Sequence, residues 1–168
     1  GYEIAARAFP LERRGVQWIA LAPIAPARWL LAKWTGVMAL AVPLIALAAV
    51  IVTAGLGLGP AGVLPVLGSG LAALVGLVSV GLWTGTHFGD FAWTHPRAML
   101  TLPGRLVAAA FMIVQLIVWL GIAVIGQVVG SESVRQALLW APLIAAPLLA
   151  LLPLAATLRR IGRLGSWA

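Results

Sequence analysis

The sequence contains no cysteine. A disulfide framework, a thiolate metal site and a cysteine nucleophile are therefore excluded. Charge is also scarce: 9% of the 168 residues are Asp, Glu, Lys or Arg, against about 25% in an ordinary soluble domain. The acids are Glu3, Glu12, Asp90 and Glu132. No ionisable residue lies in the middle of a long apolar run. Proton-coupled transporters, ion pumps and intramembrane proteases usually need carboxylates or histidines at that depth, so a site driven by buried charge is not expected. Nucleotide motifs are missing too. Lys33 stands between Ala32 and Trp34, so there is no GxxxxGK[ST] loop to cradle phosphates. Gly57, Gly59 and Gly62 fit GxGxxG, but they follow an apolar helix and not a strand, which removes the dinucleotide reading. No serine occupies a nucleophile elbow. No catalytic residue, cofactor or metal is expected.

What is present is apolar. Hydrophobic residues make up 62% of the chain, and mean hydropathy is +1.08. A helix needs about 20 residues to cross roughly 30 Å of hydrocarbon. Four runs meet that length, at residues 34–53, 63–83, 106–125 and 137–158. The expected fold is an all-α integral membrane domain of four transmembrane helices. A cytoplasmic or interfacial lead-in, residues 1–33, precedes it, and a basic tail, residues 159–168, follows.

The basic residues suggest an orientation. Of the eleven Lys and Arg, ten fall in three clusters. These are Arg7, Arg13, Arg14, Arg28 and Lys33, then Arg97 and Arg105, then Arg159, Arg160 and Arg163; Arg135 stands apart. An even number of crossings separates the clusters. Cytoplasmic loops retain Lys and Arg, so both termini and the middle loop are expected inside. The net charge of +7 flanks apolar runs and forms no patch with interleaved aromatics, so nucleic acid is not expected as a partner.

Several residues draw notice within this frame. Trp34, Trp83 and Trp140 fall near expected interfaces, where indole is favoured, and Trp119 falls mid-span. Pro43 lies inside the first run, and Pro142, Pro147 and Pro153 lie inside the fourth, which favours packing that fourth helix within a bundle. Gly55/Gly59, Gly81/Gly85 and Gly126/Gly130 have the small-xxx-small spacing that lets helices approach closely. Gln115 is the polar group at depth best suited to an interhelical hydrogen bond or a substrate path. His87, Asp90 and His95 share the middle loop and read as solvated or interfacial rather than as metal ligands.

Two segments are unusual for loops. In the lead-in, Ile4, Ala5, Ala8, Leu11 and Glu12 suggest a short amphipathic helix, with Ile4, Ala8 and Leu11 on its apolar face. Residues 16–22 are too short to span, and Pro23 and Pro26 form an elbow before Arg28. The middle loop packs Phe88, Phe91, Trp93, Pro96 and Arg97 into a short stretch, and aromatics with Arg are what buried contacts use.

These two segments resemble those of permease subunits of bacterial ABC exporters. Residues 12–18 (ERRGVQW) and 21–33 (LAPIAPARWLLAK) resemble a pattern in which an acid and a glycine precede a proline turn, with a lysine entering the next span. Residues 88–97 (FGDFAWTHPR), followed by Gly104, are similar to a loop of some of these permeases. Gly89 stands where the family often has Pro, His95 where it often has Asn, and residues 103–104 where it often has Gly-Gly.

The resemblance implies the carboxy-terminal, membrane-spanning portion of an export permease in the bacterial cytoplasmic membrane. It implies a separate ATPase subunit as partner, and a second permease copy or homologous half. Glu12, Arg13, Arg14 and Gly15 would belong to the coupling region that docks on the ATPase, where ATP would be hydrolysed. The alternatives are an accessory or assembly subunit of another membrane complex, and a membrane enzyme acting on lipid through the His87, Asp90 and His95 loop.

Overall fold

A computed structural model describes residues 1–12, 15, 24–57, 59–95, 98–128 and 131–164. These residues form helices α1 (Tyr2–Arg7), α2 (Pro26–Gly55), α3 (Val63–Phe88), α4 (Leu102–Val128) and α5 (Glu132–Leu164), with single 3-10 turns at Pro10–Glu12 and Pro60–Gly62. No strand occurs among the described residues. One isolated antiparallel bridge joins Gly89 to Leu100.

Helices α2 to α5 each contain a stretch long and apolar enough to cross a membrane. Each also extends past the apolar run expected from sequence. Helix α2 starts at Pro26, not at residue 34, and α5 continues to Leu164. Lipid does not end a helix. The long stems of Arg28, Arg159 and Arg160 can follow the apolar surface while their charges reach the headgroups. At 1.5 Å per residue the 30 residues of α2 extend about 45 Å, longer than the hydrocarbon core.

The helix ends have local causes. Pro26 opens α2, where its fixed φ fits and its missing N–H is not needed, and Ala25 before it is extended. Helix α2 closes on Gly57, which lies at φ +64°, a left-handed conformation that glycine tolerates. Gly59 also has a positive φ, +66°, but with ψ 179°, an extended form that glycine alone adopts readily, and it turns the chain toward Pro60.

Helix α3 is the hub, packing against α1, α2, α4 and α5. Its neighbours can be ordered by depth. A methyl group added at Gly70 would meet Ile45, and Val37 and Ala41 share a cluster with Leu74, Val78 and Leu82, so α2 runs antiparallel to α3. Gly104 abuts Phe88, and Gln115 reaches Ala73, so α4 also runs antiparallel. Gly68 lies against Leu143, while Leu154 and Ile161 join the cluster around Leu82 and Trp29, so α5 runs parallel to α3.

The outer faces remain apolar and uncovered. Leu40, Leu44, Leu47 and Ile51 form one stripe along α2, each about 60% exposed. Only 6% of the most apolar stretch of α4 is buried. In water such surface would favour collapse, whereas lipid covers it without penalty. The chain is a multi-pass membrane protein by this pattern.

Candidate docking platform at the basic end of the bundle

Both unusual segments of the sequence meet at one end of the bundle. There α2 and α4 begin and α3 and α5 finish. Arg28, Lys33, Arg105, Arg159 and Arg160 therefore gather at this end. At the opposite end, the 56–62 turn carries no charge, and Glu132 and Arg135 lie in the first turn of α5.

Residues 1–12 of the lead-in pack against the bundle, and residues 16–23, the apolar stretch with Pro23, lie outside the described residues. Helix α1 runs alongside α3 in the same direction, from Gly1 beside Leu74 and Val78 to Ala6 beside Gly85. Its buried face is Tyr2, Ala5 and Ala6, followed by Phe9 and Pro10. Ile4 and Leu11, two residues of the expected apolar face, are exposed at 43% and 56%. The reason is on α3. A methyl group at Gly81 would lie 2.7 Å from Ala5 Cβ and 2.8 Å from the Tyr2 carbonyl oxygen, and one at Gly85 would overlap the Ala6 carbonyl. Gly89 continues the stripe, with Pro10 against it. Three glycines at four-residue spacing form a slot, and only the small side chains of α1 fit against it. Of the other two glycine pairs, Gly55 and Gly59 have nothing close, and Gly130 lies outside the described residues.

Polar groups pin the lead-in. The Tyr2 and Thr84 hydroxyls are 2.9 Å apart, and Thr84 donates its hydrogen to the Gly81 carbonyl at 2.9 Å, so Tyr2 is the donor of the pair. Burial raises the Tyr2 phenol above its usual value, the Thr84 hydrogen bond opposes this, and the Glu3 carboxylate adds to the rise. Phe9 meets Trp29 edge to face, with centroids 5.2 Å apart. Glu12 forms an ion pair with Lys33 of α2, and both side chains are about four-fifths buried. The second Glu12 oxygen and the Trp29 and Trp34 indole nitrogens are buried without a hydrogen-bond partner.

The middle loop closes over this turn. Asp90 N–H donates to Met99 O at 2.9 Å and Thr101 N–H to Phe88 O at 3.0 Å, which sets the loop's base. Asp90 Oδ1 accepts the Ala92 N–H, an Asx-type turn. Trp93 Nε1 donates to the Pro10 carbonyl at 2.8 Å, and half-buried Phe91 packs on the cluster that holds Phe9 and Trp29. Phe88 lies edge to face with Trp83, which also meets Phe111 and His87.

Each expected site residue now has a place. Glu12, Phe91 and Trp93 belong to one assembly, whereas Phe88 packs on Trp83 and against Gly104 of α4. Gly15 is described without a close contact at its Cβ position, and Arg13, Arg14, Pro96 and Arg97 lie outside the described residues. Gln115 sits elsewhere and donates from Nε2 to the Ala73 carbonyl at 3.0 Å, linking α4 to α3. His87 Nδ1 lies 3.0 Å from the Trp83 carbonyl; a carbonyl only accepts, so Nδ1 carries the hydrogen. No group of three His, Cys, Asp or Glu gathers among the described residues. The buried partners Tyr2, Phe9 and Thr84 escaped sequence reading, although Gly89, in step with Gly81 and Gly85, marked the slot.

Among the described residues the assembly holds no nucleophile beside a base and no group of three metal-ligating side chains. It is a packed surface of backbone, aromatic and basic groups, suited to holding another protein or the headgroup layer. Comparison of the chain with protein-family models, with curated proteins and with solved structures returns no match.

Proposed function

We propose that this chain is the membrane-spanning part of an ABC-type export permease, driven by ATP hydrolysed on a separate ATPase subunit. The basic end is then cytoplasmic, in a bacterial inner membrane. One observation carries this reading. The two segments that resemble permease segments are distant in sequence and meet in the fold: Trp93 of the middle loop donates to the carbonyl of Pro10, two residues before the first segment, and the Glu12–Lys33 ion pair ties the two ends of that first segment together. A permease needs such a rigid platform where an ATPase can push on the spans, and α1 transmits that push directly to the hub helix α3. The apolar spans suit an apolar or amphipathic substrate, since buried charge is absent from the middle of each run.

The test uses the tagged chain purified from its own cells, together with the separate P-loop ATPase subunit that this reading requires there. The two proteins should co-purify, and ATP turnover should follow the ATPase alone. Turnover by the purified chain without any second subunit overturns the proposal. So does purification with a partner that lacks a nucleotide motif, which points to an accessory subunit.

A further inference from the structure

We propose that the ends of α2 and α5 bind the headgroup of an anionic phospholipid through Arg28, Arg159 and Arg160. The proposal does not depend on the transport reading. At the basic end, most described charges are already engaged. Glu3 pairs with Arg7, Glu12 pairs with Lys33, and Asp90 accepts from Ala92. Arg105 donates from Nε to the Leu100 carbonyl. Arg28, Arg159 and Arg160 are exposed, and none of the described carboxylates reaches them. They adjoin one buried cluster, which holds both Ile161 of α5 and Trp29 and Leu30 of α2. Three exposed guanidiniums without a carboxylate partner among the described residues, at the same ends of α2 and α5, create a positive field that a phosphodiester would neutralise with charge-assisted hydrogen bonds.

The surface next to these arginines selects a lipid over a free anion. From Arg159 the same face of α5 continues through Ala155, Leu152 and Leu148, at i−4, i−7 and i−11. Leu152 and Leu148 are 71% and 61% exposed. Next to Arg28, Leu31 is 59% exposed. A headgroup held at the arginines leaves its acyl chains against these leucines. Inorganic phosphate gains nothing from them.

The experiment is thermal unfolding of the whole purified chain in a neutral detergent, with added lipid. Dioleoyl phosphatidylglycerol should raise the apparent Tm by about 3–6 °C more than dioleoyl phosphatidylcholine does, as expected for a ligand that binds only the folded state. The triple variant Arg28→Gln, Arg159→Gln, Arg160→Gln should lose that difference, with its elution volume and its Tm without lipid unchanged. Arg105→Gln should keep it. Equal stabilisation of the wild type by both lipids, or an undiminished preference in the triple variant, overturns the site. An equal shift from millimolar inorganic phosphate overturns the lipid assignment. Should the triple variant aggregate, the Arg→Lys triple variant must keep at least part of the preference, because charge is retained; complete loss there counts against the proposal.

Discussion

Tyr2 donates a hydrogen bond to Thr84 from a helix that lies flush against the hub of the bundle. Thr84 is fully buried and passes its own hydrogen to the Gly81 carbonyl, so the chain of donors ends in satisfied backbone. Replacing Tyr2 with Phe removes one net hydrogen bond and leaves Thr84 satisfied. The expected loss is about 1 kcal/mol. Thr84→Val leaves the Tyr2 hydroxyl buried without an acceptor and should cost more, roughly 1–3 kcal/mol. Reversible unfolding in mixed micelles ranks the two variants, and the opposite order would show that Tyr2 is not the donor.

The same pair sets a pH dependence. The folded chain holds the Tyr2 proton more tightly than the unfolded chain does, because burial raises the phenol. Its contribution is therefore complete below the ordinary phenol value of about 10 and is lost as pH climbs through the raised one. Tyr2→Phe should flatten that alkaline decline in stability. An identical decline in the variant assigns it to other groups.

Glycine substitutions should separate the slot from the rest of the chain. Gly85→Ala places a methyl group on the Ala6 carbonyl, backbone against backbone, and the expected destabilisation is about 1–3 kcal/mol or more. Gly36→Ala, inside α2 with nothing within 4 Å, should be neutral or stabilise by up to about 1 kcal/mol through lost backbone freedom in the unfolded chain. Equal effects at the two positions would mean that α1 does not occupy the slot.

The four spans were legible because the bilayer imposes a length and a polarity that few other environments demand. Their ends were not, since Arg28 and Lys33 continue α2 beyond the hydrocarbon and look like a boundary only to a hydropathy count. The packing of α1 was not legible for a different reason. Ala5 and Ala6 carry little hydropathy signal, and their burial depends on what α3 lacks, the β-carbons of Gly81 and Gly85. The partner of Glu12 within the chain was not legible either, since only resemblance had given that residue a place. Its partner is Lys33, and only the fold brings the 3-10 turn over the first turns of α2.

That internal pair changes what a charge reversal at Glu12 reports. Glu12→Lys sets two ammonium groups together where a salt bridge stood. The 9–12 turn should loosen, at an expected cost of about 1–3 kcal/mol, between the limits for surface and buried pairs. Membrane insertion should persist, because the spans are untouched. The swap Glu12→Lys with Lys33→Glu should restore stability. If ATPase association returns with it, the platform acts through its shape. If stability returns and association does not, Glu12 itself is read by the partner. Failure of the swap to recover any stability would remove the ion pair as a structural element.

Orientation is the last quantity to fix, and the absence of cysteine makes it directly measurable. The basic residues of α2, α4 and α5 collect at one end, and retention of Lys and Arg on the cytoplasmic side predicts that this end is inside. Ser133, in the first turn of α5, is exposed at the other end, where the described residues carry almost no charge. Ser166, beyond Arg163, lies outside the described residues but on the cytoplasmic side by the same rule. Single variants Ser133→Cys and Ser166→Cys should therefore differ in intact cells. A membrane-impermeant maleimide should label the first and not the second, and permeabilisation should expose both. Labelling of Ser166→Cys alone would invert the bundle and put the Glu12, Lys33 and Trp93 platform outside the cell. No cytoplasmic ATPase could reach it there, so the transport reading would fail with the orientation, while the lipid site at Arg28, Arg159 and Arg160 would only change leaflet.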